Sequence, residues 1–130
     1  MDISREFQTD TNKETKGVEV PFGDATFVIA RSGTFAYNKA VNALFKRHEK
    51  ELKLKNEIAD QLNDKLMAEV MAKHVLVGWS GVVEAGAPLE YSTLVAQRLL
   101  MIKDFRSWVL EKANDMSAYK TFADEELAGN

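Results

Sequence analysis

Gly17-Val18-Glu19-Val20-Pro21-Phe22-Gly23-Asp24-Ala25-Thr26-Phe27-Val28-Ile29 is the stretch whose reading decides the fold. Val18, Val20 and Phe22 alternate with Glu19 and Pro21, the period of a strand with one buried face. Gly23-Asp24 supplies a two-residue turn and Phe27-Val28-Ile29 a second β-prone run, so the segment predicts a β-hairpin. Pro21 has no N–H to give to a ladder, which places its strand at an edge. An isolated hairpin is marginal in water, so this one must lie on something else, and helices are the obvious support.

Beyond the hairpin, Ser32-Gly33-Thr34 breaks the pattern and offers a helix cap. Tyr37, Val41, Leu44, Phe45 and Leu52 then form one helical stripe, with Lys39, Asn42, Lys46 and Lys50 opposite. Asn56 predicts the cap of a second helix, where Ile58, Leu62, Leu66 and Val70 recur every four residues and Met67 and Met71 widen the face. That run is expected to continue through His74 until Gly78 ends it. Gly78 to Pro88 holds three glycines and a proline and reads as a loop. Ser92 caps a short third helix carrying Leu94, Val95, Leu99 and Leu100. A last helix starts near Asp104, with Phe105, Trp108, Val109, Ala113 and Met116 on one face.

The ends differ from the middle. Residues 1–16 are polar apart from Ile3 and Phe7 and read as a flexible N-terminal arm, and residues 121–130 read as an acidic C-terminal tail. The expected fold class is mostly α (α+β). About four helices pack together with an N-terminal two-stranded β-hairpin, in a single domain over residues 17–120.

Composition narrows the function. The chain of 130 residues has the size of one domain, with 45% hydrophobic and 28% charged residues. It contains no cysteine, which removes disulfides, thiolate metal sites and cysteine nucleophiles. A net charge of −3 gives little of the phosphate attraction that drives nucleic-acid binding. Apolar stretches such as Val75-Leu76-Val77-Gly78-Trp79 are far shorter than the ~20 residues a membrane span needs. The polar start Met1-Asp2-Ile3-Ser4-Arg5-Glu6 lacks the features of a signal peptide.

No reactive constellation emerges. His48 and His74 are the only histidines and fall on different predicted helices, too few ligands for a zinc site. Glu57, Asp60 and Asp64 share a helix with Lys65 and Lys73, which reads as a solvated charged face. Gly78-Trp79-Ser80-Gly81 lacks the glycine two residues after the serine that a nucleophile elbow requires, because Val82 stands there. Gly78, Gly81 and Gly86 match neither dinucleotide nor phosphate-loop spacing. The basic run Lys46 to Lys55 is diluted by Glu49 and Glu51 and surrounds a helix end, where cations meet the negative pole of the dipole. The expectation is therefore a protein that binds without catalysing, with no cofactor and no metal.

What remains is apolar surface. Trp79, Trp108, Tyr91, Tyr119 and the methionines at 67, 71, 101 and 116 exceed what a small core requires. Aromatic residues and methionine are enriched where proteins dock. Met67, Met71, Trp79, Leu94 and Phe105 are the candidate partner-binding residues. The alternative is a small helical regulatory or nucleic-acid-binding protein, for which Arg106 and Asn114 of the last helix would have to reach base edges.

The order of motifs adds a resemblance. Lys73-His74-Val75-Leu76-Val77-Gly78-Trp79-Ser80-Gly81-Val82 is followed by Gly86 and Pro88, by Tyr91-Ser92 with an apolar helix, and by Asp104-Phe105-Arg106-Ser107-Trp108-Val109 leading to Ala113-Asn114-Asp115 and Tyr119. This set, with a Gly-led hairpin ending at Arg31, resembles the tail assembly chaperones of long-tailed, siphovirus-type bacteriophages. Relatives often carry acidic residues where Ser80 and Ala85 stand here. The resemblance implies a non-catalytic morphogenesis factor of the host cytoplasm, absent from the mature virion. It would coat the tape measure protein while the major tail tube protein polymerises around it. It also implies self-association, and association with a longer form made by ribosomal frameshifting, this chain being the shorter form.

Overall fold

The alternating segment forms strands β1 (Val18–Phe22) and β2 (Ala25–Ile29) in the computed structural model of the chain, which describes residues 1–121. Helices α1 (Ile3–Glu6) and α2 (Thr11–Lys16) precede them. Helices α3 (Phe35–Arg47), α4 (Glu49–Leu52) and α5 (Glu57–His74), then strands β3 (Leu76–Ser80), β4 (Val83–Glu84) and β5 (Ala87–Pro88), follow. Helices α6 (Thr93–Leu99) and α7 (Lys103–Asn114) and a 3-10 turn at Met116–Tyr119 complete the described chain. The fold is mixed α+β and mostly helical, and an N-terminal antiparallel hairpin is part of it.

β1 and β2 pair antiparallel around Gly23-Asp24, with Val20 opposite Phe27 and Phe22 opposite Ala25. Pro21 does lie on an edge strand, since the sheet order is β1-β2-β3. The expected two-stranded hairpin is present and is extended by a third strand. α5 stops at His74, four residues before Gly78, and the chain turns straight into β3. Val75, Leu76 and Val77 favour extended backbone, and β2 offers a free row of hydrogen-bonding groups beside them. Phe27 therefore pairs with Trp79 and Val28 with Gly78, with a bulge before Ile29 meets Leu76. The stretch expected to be a loop is thus a strand followed by a small hairpin, β4–β5.

α5 is the organising helix. Asn56 caps it, its side-chain oxygen accepting from the Ala59 N–H at 2.8 Å. The helix packs against both α3 and α6 and buries Leu66, Ala68, Val70, Met71 and Ala72. This two-sided burial is wider than the predicted stripe and also shifted, because Ile58 is 73% exposed. The first predicted helix differs as well: it breaks at His48 into α3 and α4, so the stripe from Tyr37 does not run unbroken to Leu52. Ser92 caps α6 as expected, accepting from the Val95 N–H. The inner face of the hairpin, with Phe27 and Ile29 buried, closes onto α7 through Phe105 and Trp108.

Residues 1–16, expected to be a flexible arm, contain two helices whose caps are local. Asp2 accepts from Ser4 and Arg5, and Asp10 accepts from Asn12 and Lys13. The segment is also bonded to distant chain: the Asp10 N–H donates to the Tyr119 carbonyl at 2.8 Å and the Arg31 N–H to the Glu14 carbonyl at 2.9 Å. Of the expected acidic tail, 122–130 lies outside the described residues.

Candidate partner-binding site

α7 supplies one wall of the site. Phe105, Trp108 and Val109 fall three and four residues apart, so one face of the helix carries all of them. Val109 is fully buried, while Phe105 and Trp108 sit half-buried at the border of the core. The hairpin supplies the other wall. Phe27 forms the floor, its ring centroid 5.4 Å from Phe105 and 5.6 Å from Trp108. Phe22, beside the turn, meets Trp108 edge-on at 5.1 Å yet remains 61% exposed. Together Phe22, Phe27, Phe105, Trp108 and Asp104 line an open hollow of about 510 Å³.

Such edge-to-face and offset ring pairs stabilise by about 0.5–1.5 kcal/mol each beyond the area they bury, so the walls hold their shape without a ligand. The polar groups on the lining are few. The Asp104 carboxylate has no cation or hydrogen-bond partner among the described residues, and the Trp108 indole N–H has no acceptor there. Trp79 differs in this respect. Its indole N–H donates to the Leu89 carbonyl at 2.8 Å, and its ring stands edge-on to Tyr91 at 4.9 Å. Tyr91 in turn donates to the Leu76 carbonyl at 2.9 Å. The Gly-Trp element thus fastens the segment that follows β5 back onto β3.

The five residues singled out from sequence therefore divide. Phe105 lies in the hollow. Leu94 is 79% exposed on α6, and Met67 is half-buried against the core. Trp79 is half-buried and engaged internally. Met71 is corrected: it is 0% exposed, because α5 is enclosed on two sides, and it offers no surface to a partner. Sequence reasoning missed Phe22 and Phe27, and it counted Trp108 among the surplus aromatics without naming it a candidate. The available signal was that Phe22 and Phe27 flank the turn on the inward-facing set of positions.

The polar candidates have structural partners. Asp64 accepts from Arg106 Nη2 at 3.0 Å, and Arg106 Nη1 donates to the Leu100 carbonyl. Asn114 accepts from the Ser32 hydroxyl. Both residues that a base-reading helix would use are thus committed to tying α7 to its neighbours. Among the described residues no group of three or more His, Cys, Asp or Glu side chains is placed to hold a metal ion. No helix among them is long and apolar enough to cross a membrane.

A family model described as YdaY prophage protein matches residues 31–130 of the chain. No curated protein and no solved structure matches it.

Proposed function

The chain belongs to the YdaY prophage protein family, and from that premise we propose that it is a non-catalytic tail assembly chaperone. It binds the tape measure protein in the host cytoplasm while the major tail tube protein polymerises around that client, and it leaves before the virion is complete. One observation carries this reading: a preformed aromatic hollow, open to solvent between the hairpin and α7. Contiguous apolar surface of this kind marks docking sites in soluble proteins. The ordered Gly-Trp and Asp-Phe elements support the same assignment. Weak contacts repeated along a long client suit a protein that must later be displaced, because exchange is governed by dissociation rate. Self-association, and association with a frameshift-extended form, belong to the same proposal.

Co-expression with the tape measure protein of the same prophage tests it. The expected result is a tape measure protein that stays in the soluble fraction and co-purifies with this chain. Absence of binding to both the tape measure protein and the tube subunits contradicts the proposal.

A further inference from the structure

The hollow has a charge pattern as well as a shape. Asp104 and Glu111 stand four residues before and three after Trp108, so helical geometry places both carboxylates on the face of α7 that carries the ring. Both are exposed, and neither has an ion-pair partner among the described residues. Asp24, also exposed, occupies the turn beside Phe22. The nearby cations offset this surface only in part. Arg106 is engaged by Asp64 and Leu100, and Lys112, four residues after Trp108, shares the ring's face but is partly buried, so with Lys103 two lysines stand against the three carboxylates. The net charge of −3 acts in the same direction at longer range.

Resting on the chaperone reading of this site, we propose that the hollow takes a basic amphipathic helix. A bulky apolar side chain of the partner enters between Phe22, Phe105 and Trp108, and a lysine or arginine about one turn away meets Asp104 or Glu111. The apolar pocket sets where the partner sits, since an anchored side chain removes the most water there. The carboxylates select the sign of its flanks, which is how rim charges usually act in recognition. An acidic helix of the same shape would put like charges together around the same ring.

Two synthetic 18-residue helical peptides test this with the full chain. Each carries leucine at positions i, i+4 and i+7, and they differ only in having lysine or glutamate at the flanking positions. Binding is read from the Trp108 signal in a tryptophan-indole NMR spectrum. The lysine peptide is expected to bind roughly tenfold more tightly at low salt, the gap narrowing in high salt as exposed charges are screened. The double variant Asp104→Lys with Glu111→Lys should reverse the order. Phe22→Ser, at an exposed position, should weaken both peptides by about tenfold, in line with loss of an anchor contact. Equal binding of the two peptides, or an unchanged order in the double variant, overturns the proposal. So does concentration-dependent dimerisation that Phe22→Ser abolishes, because that assigns the hollow to a second copy. Full-strength capture of the tape measure protein by Phe22→Ser sinks this inference while leaving the chaperone reading intact.

Discussion

At the scale of single residues, Gly81 carries a demand that no other side chain can meet. Its φ is +75°, and a Cβ built there would lie 2.7 Å from the Asp24 carbonyl oxygen. Gly86 has a similar φ of +81° but faces open space. Gly81→Ala should therefore destabilise by about 2–3 kcal/mol and Gly86→Ala by only about 1 kcal/mol, measured from urea midpoints at constant slope. Equal losses would show that the close approach to Asp24 is unimportant. Tyr119 gives a second prediction. Its hydroxyl donates to the Ile29 carbonyl at 2.9 Å within the core, and burial pushes its pKa up to about 12, against a smaller opposing pull from Arg31. A phenol that ionises at about 10 when unfolded and about 12 when folded contributes stability that is full below about pH 10. That contribution is lost as pH rises through about 12, because the unfolded state releases its proton first. Tyr119→Phe should cost about 1–2 kcal/mol at neutral pH, and part of the alkaline slope should vanish with it. An unchanged slope in urea melts across that pH window would mean the hydroxyl is not held in the core.

At the scale of elements, α5 is filled on both sides. Ala68 and Ala72 are 0% and 1% exposed. A leucine at Ala68 has no spare volume to enter, so a loss of about 2–3 kcal/mol is expected from overpacking. Ile58→Ser, at a 73% exposed position, should stay within about 0.5 kcal/mol. A comparable loss at both positions in parallel thermal melts would mean that the stripe read from sequence, rather than the observed one, is buried. These two residues also show what the sequence could reveal. Caps were legible because they are local chemistry: Asn56, Ser92 and Thr34 each accept a hydrogen bond from the first turn they begin. The hairpin was legible from its period and its turn. β3 was not, because Gly78 and Gly81 read as breakers. Only the neighbouring edge of β2, which is contributed from some fifty residues earlier, makes strand the better choice for this stretch. Met71 was misplaced for a related reason: periodicity shows that a face is apolar, but not whether a second helix covers it.

At the scale of the whole molecule, the proposed role rests on a surface. The titratable side chains whose ionisation is shifted have ordinary causes. Glu84 is held below the usual carboxylate range by its two hydrogen bonds with Arg98, which join β4 to α6. Glu49 is lowered by Lys53 one turn along. The hollow, by contrast, is made by two distant pieces of chain: the hairpin, through Phe22 of β1 and Phe27 of β2, and the first half of α7. Phe105 alone among its residues was identified from sequence. The meeting of Phe22 with Trp108 was not legible, because no local pattern joins residues so far apart in the chain. If the hollow is the docking surface, hydrogen–deuterium exchange of this chain, with and without the tape measure protein of its prophage, should show protection concentrated in two places. Those are residues 20–27 and residues 103–111, while the exposed face of α5 around Ile58 stays unchanged. Protection confined to α5 or to the β4–β5 hairpin, or no protection at saturating client, would contradict the account.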